Sequence, residues 1–415
     1  MSEHKKKLYE IMRKHKYNLL RMLKGHQVQF TELQSATLDK DDVEIAKWYL
    51  RHKGAWYDDE AVSQFENSFK KWNSSKYAFS FLGGREALVT IIKALELKPG
   101  DEVVIPGYTC VVVANAFVAH NIKIIYCDIE LDTYGLHADI LQQKITKNTK
   151  AILIHHLYGL VCRDYERLIS LAKNNNITVI EDCAQATGAM YKGIKVGNYG
   201  DVSFYSSEQT KIFNTAKGGV AVTNDENIGE RLFDIQKKSS IADEDWIDRH
   251  LHTILLNYFQ FKHPHRYFLG DIYDFMYGNK RLKAYADGEF SGRCDNNYVR
   301  QMPAPIAKLA LNQLNKIDHY NSLRRETVHK WNAWCDNNGY KRPLIIEESE
   351  PVYLRYPVLV EEEKKRNSSW AREELGVNLG VWYVTHMHPT NWPVTGCPNA
   401  DTAVKHCVNF PTLMT

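Results

Sequence analysis

Short apolar segments alternate with amphipathic segments over the first half of the chain, and this alternation limits the fold more than any other sequence feature. The apolar segments predict strands at residues 77–82, 102–105, 122–128, 151–155, 177–181 and 220–223. The segments between them predict helices at residues 83–97, 138–145 and 164–174. Alternation of this kind is typical of βαβ units built around a mainly parallel sheet. The sequence therefore predicts an α/β fold whose sheet is flanked by helices.

At 415 residues the chain is longer than one hydrophobic core usually supports, so we expect more than one domain. We predict a basic helical arm at 1–59 and a large domain at 60–290, with a helical, aromatic-rich insertion near 240–290. The remaining residues, 291–415, are predicted to form a smaller C-terminal α+β domain. Its predicted strands include residues 353–360 and 377–384.

The composition argues against several classes of protein. A formal net charge of +3 is too small to indicate nucleic-acid binding across the surface. The eight cysteines lack CxxC spacing, which favours reduced thiols over disulfides or a zinc site. No segment approaches the roughly 18 consecutive apolar residues of a membrane span, and the N-terminus lacks a signal-peptide core. We therefore expect a soluble, cytoplasmic protein without a metal site.

Basic and apolar residues recur at helical spacing between residues 5 and 24 and predict a basic amphipathic helix. Such a helix can lie on an anionic membrane surface. The commoner alternative is an arm that packs on its own chain or on a partner subunit, and we favour that alternative.

Three polar residues that suit one cofactor follow apolar strands near the middle of the chain. Asp182 comes at the end of the strand at 177–181, while Ser206 and Lys211 lie between that strand and the next predicted one at 220–223. Ligands of open α/β sheets bind at the carboxyl ends of strands. A lysine amine can join the aldehyde of pyridoxal 5'-phosphate as a Schiff base, and a carboxylate can keep the pyridine nitrogen protonated. Taken singly, a lysine in such a loop is more often a solvated surface cation.

A glycine turn separates the first predicted strand from the helix at 83–97. Such a turn exposes free backbone amides at the positive end of the helix dipole, which suits a phosphate. The alternative is a glycine-rich connector without a ligand. Tyr108, at the end of another predicted strand, could stack on a flat cofactor ring, although a core tyrosine is the commoner explanation.

In this order, the residues resemble the DegT/StrS family of pyridoxal-phosphate-dependent sugar aminotransferases, which have the aspartate aminotransferase type I fold. The resemblance covers about residues 60–415. It rests on Pro99-Gly100-Asp101-Glu102-Val103, Pro106 to Thr109, His156-Leu157-Tyr158-Gly159, Glu181-Asp182-Cys183-Ala184-Gln185, and Lys211 with Gly218-Gly219. The resemblance implies a large domain with a mainly parallel sheet of the seven-stranded type.

The resemblance also implies roles for individual residues. Lys211 would bind the cofactor and shuttle protons, Asp182 would contact the ring nitrogen, and Gln185 would lie near the ring hydroxyl. The groups expected at the phosphate are Ser206 and the amides around Gly84, Arg85 and Glu86. Further candidates, for binding substrate, are His156, His386 and His388.

Three features depart from the family pattern. Arg85 and Glu86 stand where the family usually has a small residue and an alanine, so the phosphate loop carries unusual charges. Cys110 replaces a common aromatic residue, so that ring stacking would pass to Tyr108. The Asn-Tyr-Arg element that a partner subunit usually contributes has no clean match at 296–300.

The activity that the resemblance implies is transfer of an amino group from an amino acid, glutamate, to a nucleotide-linked keto-sugar for surface polysaccharide synthesis. It also implies a homodimer with shared active sites. The alternative acceptor is a small phosphorylated ketone or a free keto-sugar. Two lesser alternatives are dehydration of a keto-sugar, for which relatives replace the lysine by histidine, and a non-catalytic, membrane-associated role.

Overall fold

The computed structural model describes residues 37–262, 269–282, 298–380 and 382–413, together with Tyr9 and Met12. The predicted basic helix at 5–24 therefore lies outside the described residues, apart from the exposed side chains of Tyr9 and Met12. Within the described ranges, none of the helices combines the length and the apolar character needed to cross a membrane.

The described residues form strands and helices that follow the predicted alternation. The strands are β1 (Tyr77–Phe81), β2 (Glu102–Pro106), β3 (Thr109–Cys110), β4 (Lys123–Cys127), β5 (Thr149–His155), β6 (Thr178–Asp182), β7 (Met190–Tyr191), β8 (Ile194–Lys195), β9 (Val202–Ser206), β10 (Gly219–Thr223), β11 (Ser240–Ile241), β12 (Arg300–Gln301), β13 (Ser349–Glu350), β14 (Tyr356–Leu359), β15 (Met387–His388) and β16 (Cys407–Phe410). The helices are α1 (Lys40–Arg51), α2 (Asp59–Asn73), α3 (Gly84–Ala94), α4 (Val111–Val118), α5 (Ala138–Lys144), α6 (Tyr165–Asn174), α7 (Glu226–Lys238), α8 (Glu244–Phe261), α9 (Leu269–Tyr277), α10 (Ala304–Leu314), α11 (Ile317–Asn338), α12 (Glu362–Arg366), α13 (Ser369–Glu374) and α14 (Pro398–His406).

The main sheet has the strand order β11-β12-β1-β10-β9-β6-β5-β2-β4. The strands from β9 to β4 run parallel, and β10 is antiparallel to both of its neighbours. The seven longer strands form the predicted, mainly parallel sheet, and the two-residue strands β11 and β12 extend it at one edge. The prediction of an α/β fold with a mainly parallel sheet is therefore confirmed.

Both faces of the sheet are covered, because alternate residues of the central strands enter different hydrophobic clusters. On β5, Ile152 and Ile154 belong to one cluster, whereas Ala151 and Leu153 belong to the other. Burial of an isoleucine or leucine side chain contributes about 1.5–3 kcal/mol. Because the strand is buried on both faces, its sequence is a continuous apolar run rather than an alternating one.

A third cluster contains residues of α11, α14, β14 and β16. At its centre, Trp331 donates from Nε1 to the carbonyl of Pro411 at 2.6 Å, and its ring centroid lies 4.6 Å from that of Phe410. The strand β15 from this part of the chain runs parallel to β3, with His388 opposite Cys110. This pairing brings the C-terminal part of the chain to the edge of the sheet just beyond the end of β2.

The predicted strand at 377–384 is wrong. The described residues of this segment make a single bridge, between Gly380 and Asn409, in which each amide donates to the other's carbonyl at 2.8 Å. The Asn409 side chain then accepts from the Trp382 amide at 3.2 Å, and Tyr383 has a left-handed backbone with φ of 59°. A left-handed residue ends extended pairing, so the bridge does not become a strand.

The described end of the predicted N-terminal arm packs on the main core. Val43, Ala46 and Tyr49 of α1 are buried in the same cluster as Ile152. Lys316 forms ion pairs with three carboxylates at the start of this helix, those of Asp39, Asp41 and Asp42. The domain boundaries predicted at residues 59 and 290 stay predictions.

Candidate active site

The carboxyl ends of three parallel strands meet at one edge of the sheet. Asp182, the last residue of β6, pairs with His155 at the end of β5 and with Phe204 of β9. Ser206 is the last residue of β9. Because neighbouring parallel strands end at the same edge, the sequence order places these side chains together, where α/β proteins bind ligands.

Lys211 and Asp182 lie close enough for their charges to interact. Burial raises the pKa of Asp182. Two groups oppose that rise: the Ala184 amide, which donates to Oδ1 at 3.0 Å, and the charge of Lys211. Burial also raises the pKa of the Cys110 thiol, and the charge of Lys211 opposes that rise as well. The lysine is half-buried, and among the described residues its amine makes no hydrogen bond or ion pair. The amine therefore faces the carboxylate and the thiol without being held by a partner.

The first turn of α3 packs against Ser206. A Cβ atom added to Gly84, the first residue of this helix, would lie 3.0 Å from the Ser206 Cβ and 3.3 Å from its Oγ. The absence of a side chain at Gly84 thus keeps the helix start open beside the serine hydroxyl. Free amides at a helix N-terminus together with a hydroxyl form a suitable cradle for a phosphate.

Glu86 folds back over this same helix start. Its Oε2 atom would lie 2.5 Å from a Cβ added to Gly83. Burial raises the pKa of Glu86, and its own amide and the charge of Arg85 oppose that rise, with smaller contributions from Lys217 and Arg300. The carboxylate thus lies at the helix N-terminus, where it competes with any bound anion for the positive end of the dipole.

Tyr108 belongs to a neighbouring group of four buried tyrosines, and Gln185 bonds to two of its members. This tyrosine cluster consists of Tyr108, Tyr134, Tyr158 and Tyr383. The Tyr108 ring is fully buried, and its hydroxyl lies 3.1 Å from that of Tyr158. Gln185 accepts from the Tyr158 amide at 2.8 Å and donates to the Tyr383 hydroxyl at 2.7 Å. Both predicted cofactor contacts are therefore engaged within the protein, and Cys110 is the residue of this turn that faces Lys211.

His156 lies behind Asp182 in a buried hydrogen-bond network. Its Nδ1 accepts from the Cys162 amide at 3.3 Å, so Nε2 carries the proton and donates to Glu181 at 3.1 Å. The Glu181 carboxylate also accepts from the Tyr165 hydroxyl and from the amides of Gly197, Tyr199 and Gly200. His156, Glu181 and Cys183 have ligand atoms within 4.8 Å of one another, but these donors already occupy both carboxylate oxygens. The network fixes the orientation of His156 and does not favour a cation.

The two C-terminal histidines differ in position. His386 pairs through Nε2 with Asp401 at 2.8 Å, near the surface. His388 lies opposite Cys110 in the β3–β15 pairing, and burial, followed by the charge of Lys365, lowers the pKa of His388 to about 4. His388 is therefore a neutral imidazole at neutral pH beside the predicted site, whereas His386 is engaged elsewhere.

Two arginines at this edge were not among the predicted site residues. Arg324 donates to the carbonyl of Ile212, which follows Lys211, and Arg355 donates from its backbone amide to the carbonyl of Tyr158. Both side chains are buried. The sequence carried one signal for them, because Arg355 interrupts an apolar strand and arginine is seldom buried without a partner.

The structure thus brings Lys211, Asp182, Ser206 and the first turn of α3 to one edge of the sheet. It places Tyr108 and Gln185 in the tyrosine cluster and His386 beside Asp401. Residues 296 and 297 of the predicted partner element lie outside the described residues.

A family model described as the DegT/DnrJ/EryC1/StrS aminotransferase family matches residues 36–263. Among curated proteins, the dTDP-3-amino-3,6-dideoxy-alpha-D-galactopyranose transaminase of Aneurinibacillus thermoaerophilus is 38% identical over 326 residues, which cover 76% of this chain and 81% of that enzyme. The GDP-perosamine synthase of Escherichia coli O157:H7 is 40% identical over 170 residues, which cover 41% of this chain and 46% of that enzyme.

Among solved structures, the PLP-form of a putative sugar aminotransferase from Streptococcus pneumoniae superimposes with a TM-score of 0.68. The match covers 91% of this chain and 92% of that chain. At 19% sequence identity, this similarity shows the fold.

Proposed function

Because the chain belongs to the DegT/DnrJ/EryC1/StrS aminotransferase family, we propose that it transfers an amino group from an amino acid, glutamate, to the ketone of a nucleotide-linked sugar. The observation that carries the proposal is the convergence at one sheet edge of a lysine amine that has no bonded partner among the described residues, a half-buried carboxylate and the start of α3 beside Ser206. The acceptor class rests on the two curated relatives, whose names denote enzymes of nucleotide-linked or perosamine-type amino sugars.

The residues present fit pyridoxal phosphate. The start of α3 and the Ser206 hydroxyl would hold the phosphate, because Gly84 leaves that position open. Asp182 would hold the protonated ring nitrogen, since a cationic partner offsets the cost of burying a carboxylate. Lys211 would hold the aldehyde carbon. The bound cofactor supplies the electron-withdrawing ring that makes removal of a proton from the substrate carbon possible.

The chain's own groups would then orient the reactants and move a proton. Asp182 would favour a positive charge at the ring nitrogen, because its carboxylate is held in place by the Ala184 amide. The Lys211 amine would take a proton from the donor's α-carbon and return it at the cofactor's aldehyde-derived carbon. Lys211 is half-buried, which limits its contact with water, and its amine has no fixed partner in the described part of the chain, so it would be able to turn between the two carbons.

The test of this function separates the two halves of the reaction. The cofactor-loaded protein is treated with glutamate, the conversion of the bound cofactor to its amine form is followed by its absorbance, and excess glutamate is removed. Nucleotide-linked keto-sugars, free keto-sugars and keto-phosphates are then added separately. We expect only the nucleotide-linked sugars to restore the aldehyde-form absorbance efficiently. Restoration by small keto-phosphates or free keto-sugars instead would favour the alternative acceptor.

Dehydration of a keto-sugar is disfavoured as the main reaction. A dehydratase would use the site without returning an amine to the product, whereas Lys211 retains the residue type that an aminotransferase needs. Release of a deoxygenated sugar with no incorporated nitrogen, detected by mass spectrometry, would support dehydration.

We infer further that the protein is a cytoplasmic homodimer with shared active sites and that its product enters surface polysaccharide synthesis. The homodimer follows from the resemblance stated above, and exposed apolar side chains on α9 supply a surface that a second subunit could cover. These side chains are Ile272, Phe275 and Met276, which are 43%, 59% and 58% exposed.

A further inference from the structure

Arg355 carries a charge that the described part of the protein does not neutralise. Its side chain is only 6% exposed, and its guanidinium carbon lies 5.0 Å from the centroid of the Trp382 ring. The Nε atom is enclosed and has no hydrogen-bond partner. Among the described residues, the guanidinium group forms no ion pair. A buried cation without an anion is costly, so its retention calls for a partner that is not part of the described protein.

A second buried arginine lies nearby, and it too forms no ion pair with a carboxylate of the described residues. Arg324 is 1% exposed, and its terminal nitrogens donate to the side-chain oxygen of Asn321 and to the carbonyl of Ile212, both at 2.9 Å. Burial, followed by the charge of Arg355, lowers the pKa of Arg324 to about 9. Burial alone lowers the pKa of Arg355 to about 9. Because the two buried guanidinium groups repel each other, one small anion bound between them would lower the cost of burying both charges.

The two arginines lie beside the candidate active site. Arg324 is bonded to Ile212, the residue after Lys211. Arg355 is bonded through its amide to Tyr158, whose own amide is bonded to Gln185 in the loop that follows Asp182. The same segment packs closely on this loop, since a Cβ added to Gly159 would lie 2.8 Å from the Leu354 amide nitrogen and 3.0 Å from the Gln185 carbonyl. The cationic pair therefore borders the position where the donor must react.

We propose that Arg355, with Arg324 behind it, binds a carboxylate of the amino donor. The planar guanidinium group offers two parallel N–H donors that match the two oxygens of a carboxylate. The Trp382 ring packs against this guanidinium group, and the enclosed position suits a small carboxylate better than a bulky nucleotide diphosphate. This inference rests on the proposed function, because it takes an amino acid as the donor. It adds the residue that recognises the donor's carboxylate, which is the group that distinguishes an amino acid from other amines.

The test measures the donor half-reaction of the cofactor-loaded protein, for which no keto-sugar is needed. In Arg355→Met we expect the glutamate concentration for half-maximal conversion to rise about 10- to 100-fold, as for loss of a charge-assisted hydrogen-bond pair. An alkylamine that lacks the carboxylate should react equally slowly with the variant and the unchanged protein. Arg355→Lys keeps the positive charge but lacks the two parallel N–H donors. It should therefore bind glutamate more tightly than Arg355→Met and less tightly than the unchanged protein.

Two controls separate this role from a structural one. Arg366→Met removes an exposed arginine and should leave glutamate binding unchanged. The melting temperature of Arg355→Met should equal or exceed that of the unchanged protein, because the variant no longer buries an unpaired charge. Calorimetric titration with glutarate, which has carboxylates but no amine, should show binding that Arg355→Met weakens by a similar factor.

Unchanged glutamate binding in Arg355→Met would overturn the proposal. So would a selective loss in the second half-reaction, in which amine-loaded protein meets the nucleotide-linked keto-sugar, because that result would assign the arginine to the acceptor's phosphates. If glutamate conversion is intact but no keto-sugar restores the aldehyde-form absorbance, the proposed acceptor is wrong and the proposed donor site is unaffected.

Discussion

At the scale of single residues, the surroundings of each site group differ in burial and in hydrogen bonding. Asp182 is half-buried and accepts one backbone hydrogen bond, Lys211 has no bonded partner among the described residues, and Glu86 folds over the helix start where an anion would bind. A site built in this way holds its anchoring acid firmly and leaves its amine movable. Both properties are needed if one lysine is to bind the cofactor and later move a proton.

Replacing Lys211 by alanine should abolish the reaction. We expect Lys211→Ala to lower the rate of the glutamate half-reaction by about 10²- to 10⁴-fold or more, because it removes the group that moves the proton. The visible absorbance of the bound cofactor should also shift, whereas the melting temperature should change little. The exposed residue Lys150 provides the control, and Lys150→Ala should behave like the unchanged protein. A near-normal rate in Lys211→Ala would exclude the assignment.

Glu86 should make stability without cofactor depend on pH. Burial raises the pKa of Glu86 in the folded protein above the ordinary value of 4.5. The folded state therefore binds more protons than the unfolded state between pH 4.5 and the raised pKa. Because of this difference, the folded protein loses stability as the pH rises through that range. We expect Glu86→Gln to melt at a higher temperature than the unchanged protein at pH 7, with the difference shrinking towards pH 4.5. The exposed Glu373→Gln should show no such trend.

The same substitution should strengthen cofactor binding, because the carboxylate no longer competes with the phosphate at the helix N-terminus. Titration of the protein with pyridoxal phosphate should show an affinity several-fold higher in Glu86→Gln at neutral pH. Weaker binding in this variant would mean that the carboxylate supports the cofactor site rather than opposing it.

At the scale of elements, the site depends on how closely a helix start approaches a strand end. The helix α3 can present its amides beside Ser206 because Gly84 has no side chain, and β15 reaches the same edge by pairing with β3. The strands β6 and β9 bring Asp182 and Ser206 together because they run parallel and end at the same edge.

A side chain at Gly84 should damage the phosphate cradle. In Gly84→Ala the new methyl group would lie 3.0 Å from the Ser206 Cβ, so the helix start or the strand end must shift. We expect the affinity for pyridoxal phosphate to fall about tenfold, since the loss of one or two charge-assisted hydrogen bonds is of that order. Gly54→Ala is a suitable control because nothing lies within 4 Å of its added Cβ. Equal affinities in the two variants would place the phosphate elsewhere.

At the scale of the whole molecule, three hydrophobic clusters and one sheet position the site. Two clusters cover the sheet, and the third supports the C-terminal segment that carries Arg355 and His388 towards the sheet edge. A change in the third cluster should therefore affect both stability and the donor site.

Trp331 is the position for this test. We expect Trp331→Ala to lower the free energy of unfolding by about 3–5 kcal/mol, because it leaves a cavity and removes the bond to Pro411. Denaturant unfolding measures this loss. Trp370, which is half-buried, gives the comparison, and Trp370→Ala should cost less. Similar losses in the two variants would contradict a central role for Trp331.

The proposed homodimer predicts a particle of about 96 kDa, twice the chain mass of 48.0 kDa. Sedimentation equilibrium of the cofactor-loaded protein should give this mass at micromolar concentration. A mass of one chain under the same conditions would contradict the dimer and its shared active sites.

The sequence by itself determined the α/β class, the mainly parallel sheet, and the placement of Asp182 and Ser206 at strand ends, with Lys211 in the loop after Ser206. These properties follow from local patterns, since apolar runs define strands and parallel strands end at a common edge. The tertiary structure alone decided which side chains were already engaged. Tyr108 and Gln185 bond within the tyrosine cluster, the segment at 377–384 forms one bridge instead of a strand, and the Arg355 guanidinium has no anionic partner among the described residues. Each of these outcomes depends on contacts between residues far apart in the chain, and no local pattern encodes whether a buried polar group has found its partner.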